Sequence, residues 1–308
     1  MTIDVPIISL QCIKQPERRK EVAEQVGKAA RDSGFFQIVD HGVSQDLIDS
    51  AFAMARQAFS LPLEEKQNLG GQALKGAIGI GHDDQQSNGN VADEGTPDLK
   101  EQTELTNKLP PDSLVPGMRD LMQDYYAAML ALSIEVMKLV ALSLDMPEDT
   151  FHELRRNPAA ALRLLHYPAE LEGTGAGQHS DFGFCTILGR LDFFSPSQGA
   201  VFRACSFRLS SPGAASQVRR LLTSIRYPFG SFIYAATSGA PGLELHPPNS
   251  APDTWIPVEP ATGAFIVNVG DLLSLYTGGE YRSSLHRVMN KSGMERYSIP
   301  FFLAGTKQ

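Results

Sequence analysis

Between Met118 and Leu144, the positions Met122, Tyr125, Met129, Leu132, Val136, Leu139 and Ser143 recur at steps of three and four. That spacing draws one stripe along a long amphipathic helix, of the kind that packs on a sheet. After Ala160 the pattern changes to short β-rich runs separated by Gly and Pro. The chain therefore reads as mixed α and β, a helical N-terminal half followed by an all-β C-terminal half. No internal repeat is visible.

The N-terminal half divides further. Val5 to Leu10 is short, β-branched and carries Pro6, which suits an edge strand. Glu17 to Asp32 reads as a polar-faced helix, Gly34 to Val43 as a strand ending in a glycine turn, and Gln45 to Ser60 as a second helix closed by Leu61-Pro62. From Gly70 to Thr96 the chain is rich in Gly, Gln, Asn and Asp, which predicts a loop or a mobile cover.

Charge and cysteine content exclude several classes. The net charge of −8 gives no general attraction to nucleic acid or to an anionic membrane surface. Cys12, Cys185 and Cys205 are odd in number, far apart and never arranged as Cys-x-x-Cys. Neither a disulfide framework nor a thiolate zinc site is expected. The first residues, MTIDVPIISLQ, lack a basic start followed by a long apolar run, and no run of about eighteen apolar residues occurs. A reduced, cytoplasmic protein without a membrane partner is the expectation.

The most informative run is Gln178 to Leu188, QHSDFGFCTIL. On a strand, residues two apart face the same side, so His179 and Asp181 converge. A neutral imidazole and a carboxylate, completed by a second imidazole, form a facial triad that leaves positions on Fe(II) open for a chelating ligand and O₂. His286, in YRSSLHRV, is the candidate for that second imidazole. A His-x-Asp also occurs by chance, and His82-Asp83-Asp84 is a decoy of that type in the Gly- and Asn-rich segment.

The ordered runs HSDFGF with TIL, NVGDLL (Asn268 to Leu273), YRSSLHRV and Arg296-Tyr297-Ser298 followed by IPFF resemble the iron(II)/2-oxoglutarate-dependent dioxygenase superfamily. The subgroup most similar is the one that includes isopenicillin N synthase and the plant and fungal small-molecule dioxygenases. VPIISL, GFFQIVDHGV, AFSLPLEEK and Asp98 to Glu101 are similar to its N-terminal region. The resemblance implies a double-stranded β-helix, or jelly roll, flanked by N-terminal helices. It implies a division into an N-terminal dioxygenase region, 1–117, and a region 118–308 holding the long helix and the β-helix core.

Arg296 and Ser298 are also two apart, and a guanidinium fork beside a hydroxyl suits a carboxylate. In the resembled family this Arg-x-Ser pair holds the distal carboxylate of 2-oxoglutarate. Tyr167 matches a tyrosine that contacts the same co-substrate, whereas the adjacent His166 is expected to be structural. Phe182 and Phe184 line either the pocket or the core. The reaction implied is hydroxylation, desaturation or ring closure of a small molecule of specialised metabolism, with release of succinate and CO₂. An oxidase of the isopenicillin N synthase type, which uses the Arg-x-Ser pair on its own substrate and needs no 2-oxoglutarate, is the alternative.

One stretch departs from the family pattern. The two histidines lie 107 positions apart (286 − 179), about twice the separation usual in the subgroup, and the surplus falls at about 189–234. That stretch holds six Arg (190, 203, 208, 219, 220, 226), no Lys, one Asp and no Glu, inside an otherwise acidic chain. It is either a basic lid over the pocket or translated non-coding sequence. If it disrupts the strands beside the metal, the chain is an inactive family member.

Overall fold

The computed structural model describes residues 5–68, 101–104, 109–156, 158–169, 173–181, 232–237, 242–290 and 294–306. The helices follow the sequence periodicity closely. Helix α1 spans Pro16–Asp32, α2 Gln45–Phe59, α3 Leu63–Asn68 and α4 Met118–Ser143. A 3-10 turn, Glu148–Phe151, and the short α5, Glu153–Arg156, then lead into the β region. Helix α4 is long and apolar enough, by length and composition, to cross a membrane. Here its stripe packs on α1, α2 and a strand of the large sheet, as a core helix does. Arg19 of α1 fastens that packing, with Nε and Nη2 donating to Glu148 at 2.6 and 2.7 Å and Nη1 to Glu135 of α4 at 2.5 Å.

Eleven strands are described: β1 (Ile7–Ser9), β2 (Phe35–Val39), β3 (Glu101–Glu104), β4 (Pro158–Tyr167), β5 (Gly173–His179), β6 (Phe232–Thr237), β7 (Leu243–Leu245), β8 (Ile256–Pro257), β9 (Phe265–Val269), β10 (His286–Asn290) and β11 (Arg296–Thr306). A short helix α6, Asp271–Tyr276, follows β9. Seven strands form one sheet in the order β1-β2-β9-β6-β11-β4-β3, and β5-β10-β7-β8 form a second. The division into a helical half and a β half is therefore incomplete. β1, β2 and β3 come from the N-terminal half yet lie in the large sheet, with β1 on its edge and parallel to β2.

Strand alternation gives the large sheet two different faces. Phe36, Ile38, Leu162, Leu164, Phe265, Val267, Val269, Tyr297, Ile299, Phe301 and Leu303 share one core with the helices. The intervening residues turn the other way, toward the small sheet: Phe35 and Ile266 pack with Leu245 and Val258, and Tyr167 packs with Ala176 and Val288. The space between the sheets is thus built from alternate residues of strands whose other residues anchor the helices.

The atypical stretch ends inside this framework. Phe232, Ile233 and Tyr234, its last three residues, belong to β6 and pair with β9 in the middle of the large sheet. Residues 189–231, the segment from Gly70 to Thr96 with His82 and Asp83, and Phe182 and Phe184 all lie outside the described residues.

The end of α1 meets the segment that precedes β10. Ala30 O accepts from Arg282 N at 2.8 Å, Arg31 O from Arg282 Nε at 2.6 Å, and Ser33 O from the Ser284 hydroxyl at 2.7 Å. Residues far apart in sequence thereby cap the last carbonyls of the helix. Gly34 makes the turn into β2 with φ +72°, and a Cβ there would lie 1.9 Å from Arg282 O. Gly34→Ala should combine left-handed backbone strain with that clash, lowering stability by about 2–4 kcal/mol. Thermal or urea unfolding checks this, and an unchanged midpoint would show that the α1 contact can relax freely.

Candidate metal centre

Two histidines far apart in sequence are brought together by strand register. His179 closes β5, His286 opens β10, and the two are opposite one another in the antiparallel ladder. Their ring centroids are 4.3 Å apart. Asp181 lies just beyond the end of β5, so strand alternation alone does not aim it. Its backbone is held from another element: Asp271 N, at the start of α6, donates to Asp181 O at 2.9 Å. The Ser180 hydroxyl donates to Asp271 Oδ2 at 3.1 Å and closes the same junction.

The side chains converge on one point. One ligand-type atom each from His179, Asp181 and His286 lies within 4.8 Å of the others. His286 Nε2 is 3.1 Å from Asp181 Oδ2, and His179 Nε2 is 3.6 Å from Asp181 Oδ1. Each ring is oriented through its other nitrogen. His179 Nδ1 sits 2.7 Å from Gly177 O and His286 Nδ1 sits 3.2 Å from Ser284 O. With Nδ1–H donating to a carbonyl, the Nε2 lone pair of each ring is turned toward the carboxylate.

The carboxylate and the two imidazoles shift one another's protonation. Burial alone would raise the Asp181 pKa, but His286, His179 and a hydrogen bond from Asn268 outweigh it and hold the group at about 2. Burial would likewise lower the His286 pKa, and the facing Asp181 overrides it and raises it. A desolvated carboxylate between two imidazoles, with no lysine or arginine among its described neighbours, is a donor set that a divalent cation can occupy in place of shared protons. Two neutral nitrogens and one carboxylate on one side of that cation suit Fe(II) and leave its other side open.

A second feature lies on β11. Arg296 and Ser298 share its inward face and are buried, at 3 % and 4 % exposure. Arg296 is paired in register with Tyr167 of β4, and its guanidinium carbon lies 4.9 Å from the Tyr167 ring centre. Among the described residues, Nε and Nη1 of Arg296 have no hydrogen-bond partner. Burial lowers the Arg296 pKa, with Tyr167 opposing the shift. Unpaired donors on a buried guanidinium are costly unless an anion reaches them, so the donor set suits a carboxylate. Tyr167 is itself wedged: a Cβ on Gly175 of β5 would lie 2.6 Å from Tyr167 Cδ1.

His166 is kept apart from both features. It faces the helices, stacked on Tyr297 with centroids 4.6 Å apart and near the ring of Phe59. The sequence reading missed one residue of the centre. Asn268 Nδ2 donates to Asp181 Oδ2 at 2.6 Å. The signal for it was a polar residue at an inward position of an apolar strand, Phe265-Ile266-Val267-Asn268-Val269.

Comparison with known proteins agrees with this geometry. Residues 5–123 match the family described as non-haem dioxygenase in morphine synthesis N-terminal, and residues 225–305 match the 2OG-Fe(II) oxygenase superfamily. A 2-oxoglutarate-dependent dioxygenase from Didymella fabae is 32% identical over 312 residues, covering 93% of this chain and 80% of the relative. A 2-oxoglutarate-Fe(II) type oxidoreductase from Aspergillus fumigatus is 31% identical, covering 94% and 78%. Among solved structures, a full-length Neurospora crassa protein in complex with alpha-KG shares the fold at TM-score 0.69 and 20% identity, covering 98% of this chain and 87% of that one. Taken with the His-Asp-His cluster, these relationships show that the chain belongs to the 2-oxoglutarate- and Fe(II)-dependent oxygenase superfamily.

Proposed function

We propose that His179, Asp181 and His286 hold Fe(II), that Arg296, Ser298 and Tyr167 seat 2-oxoglutarate, and that the protein oxidises a small organic molecule with O₂. The observation that carries this is the buried Arg296, with unpaired Nε and Nη1, on the face of β11 opposite the helix core. The two packed sheets are read as the walls of a double-stranded β-helix enclosing both features. When bound, iron with the keto acid and O₂ supplies the oxidising chemistry, releasing succinate and CO₂ while the substrate is hydroxylated, desaturated or closed into a ring.

Each residue has a limited task. His179 and His286 present Nε2 in a tautomer set by Gly177 O and Ser284 O. Asp181 supplies the anionic ligand and stays ionised across the physiological range. The Arg296 fork and the Ser298 hydroxyl fix the far end of a dicarboxylate, and the Tyr167 ring walls it in. Burial of these groups keeps water away from the keto acid. A small-molecule substrate is supported by the structural relatives, since the Neurospora crassa protein is seen with thymine and with 5-formyluracil.

Anaerobic addition of 2-oxoglutarate to the Fe(II)-loaded protein should produce a weak visible charge-transfer band. Iron retained without the band would favour an oxidase that needs no 2-oxoglutarate, and iron not retained would mark the centre as inactive. Arg296→Lys, which replaces a fork by a point charge, should weaken 2-oxoglutarate binding by about 1–3 kcal/mol while iron binding is kept. An unchanged 2-oxoglutarate requirement would remove Arg296 from the pocket. Gly175→Ala should displace the Tyr167 ring and raise the 2-oxoglutarate concentration needed for the band. If that concentration does not move, Tyr167 is not part of the seat.

A further inference from the structure

Asn268 is 5 % exposed, and Val267 and Val269 on either side of it are buried in the helix-facing core. Its inward neighbour on the same strand, Ile266, is apolar and packs with Phe35, Leu245 and Val258. Placing an amide in such surroundings costs free energy unless it is hydrogen-bonded. Its Nδ2 is engaged at 2.6 Å with Oδ2 of Asp181, one of the three residues of the metal-type cluster.

That contact restricts the carboxylate. A carboxylate binds a cation through one oxygen or through both, and rotation about its last bond costs little when nothing holds it. Here the backbone of Asp181 is fixed by Asp271 N. The amide of Asn268 then holds the carboxylate through Oδ2, the oxygen that also lies 3.1 Å from His286 Nε2.

We propose that Asn268 is a positioning residue that holds the Asp181 carboxylate in one orientation toward the metal and sets the affinity of the centre. This rests on the iron-binding reading above. Asn268 touches no reacting atom itself; it acts through Asp181. Groups that orient metal ligands in this way typically change metal affinity about ten- to a hundredfold when removed.

The test uses Co(II), a spectroscopic stand-in for Fe(II), on the full chain. Affinity is measured by titration calorimetry and coordination by the visible d–d bands. Asn268→Leu keeps the branched shape and removes the donor; it should bind Co(II) about 10–100-fold more weakly, with displaced bands. Ile266→Ala, a packing loss on the same face of the same strand, should lower the unfolding temperature yet leave affinity and bands as in the wild type. If Asn268→Leu does not fold, Asn268→Gln, which moves the amide by one methylene, should show the same weakening and band shift. Wild-type protein that fails to bind Co(II) overturns the iron-site reading and the role of Asn268 with it. Wild-type binding with unchanged affinity and bands in the Asn268 variant overturns the positioning role alone. Equal weakening in Ile266→Ala would show that the effect is general packing, which also overturns it.

Discussion

The Asp181 carboxylate is the constraint around which the inner surface is arranged. An ion taken from water into a protein interior carries a penalty of several kcal/mol unless opposite charge and hydrogen bonds meet it. Here two imidazoles and one amide meet it, and they come from β5, β10 and β9. Losing any one of those elements would leave the charge partly uncompensated. The two sheets are therefore coupled through an electrostatic requirement as well as through the apolar contacts of Phe35, Leu245, Val258 and Ile266. A divalent cation at this point would stabilise the folded chain by mass action, since the unfolded chain brings no such set of ligands together.

The large sheet carries this arrangement because its strands have unlike faces. In β11, Tyr297 and Ile299 anchor the helices while Arg296 and Ser298 turn inward. In β9, Val267 and Val269 anchor the helices while Asn268 turns to Asp181. A one-residue slip of either strand would bury Asn268 or Arg296 in the helix core and turn apolar residues toward the metal centre. The helix-facing hydrophobic residues thus do two things at once. They stabilise the core, and they set the register that delivers polar groups to the centre.

What could be read from sequence follows from how local each signal is. Helices α1, α2 and α4 were legible because an apolar stripe repeats within one uninterrupted segment, and observed boundaries fall within about a residue of those expected. Arg296 and Ser298 were legible because two residues on one strand suffice to place them together. His179 and Asp181 were expected together from strand alternation alone, whereas the strand ends at His179 and Asp271 holds the backbone of Asp181 beyond it. Asn268 was not legible as a partner of Asp181, because that role exists only once β9 is set against the end of β5. β5 itself, Gly-Thr-Gly-Ala-Gly-Gln-His, has a composition unlike a strand. Gly175 is there because the Tyr167 ring leaves no space for a Cβ.

The atypical stretch is best understood from the strand at which it ends. β6 lies between β9 and β11 and pairs with both, Phe232 with Val269 on one side and Thr237 with Ser298 on the other. Both of these neighbours lie outside that stretch in the sequence. The opposition of His179 and His286 lies in the ladder of β5 against β10, with β7 on the other side of β10. Lengthening a connection is cheap by comparison with such pairings, at about 0.6 kcal/mol for each doubling. In chain-entropy terms a connection of this length is tolerable if it loops out from the sheets. The limit lies at its C-terminal margin. Removing Phe232 to Tyr234 along with the rest would take half of a central strand, and the partners exposed on β9 and β11 would include the strands that carry Asn268 and Ser298.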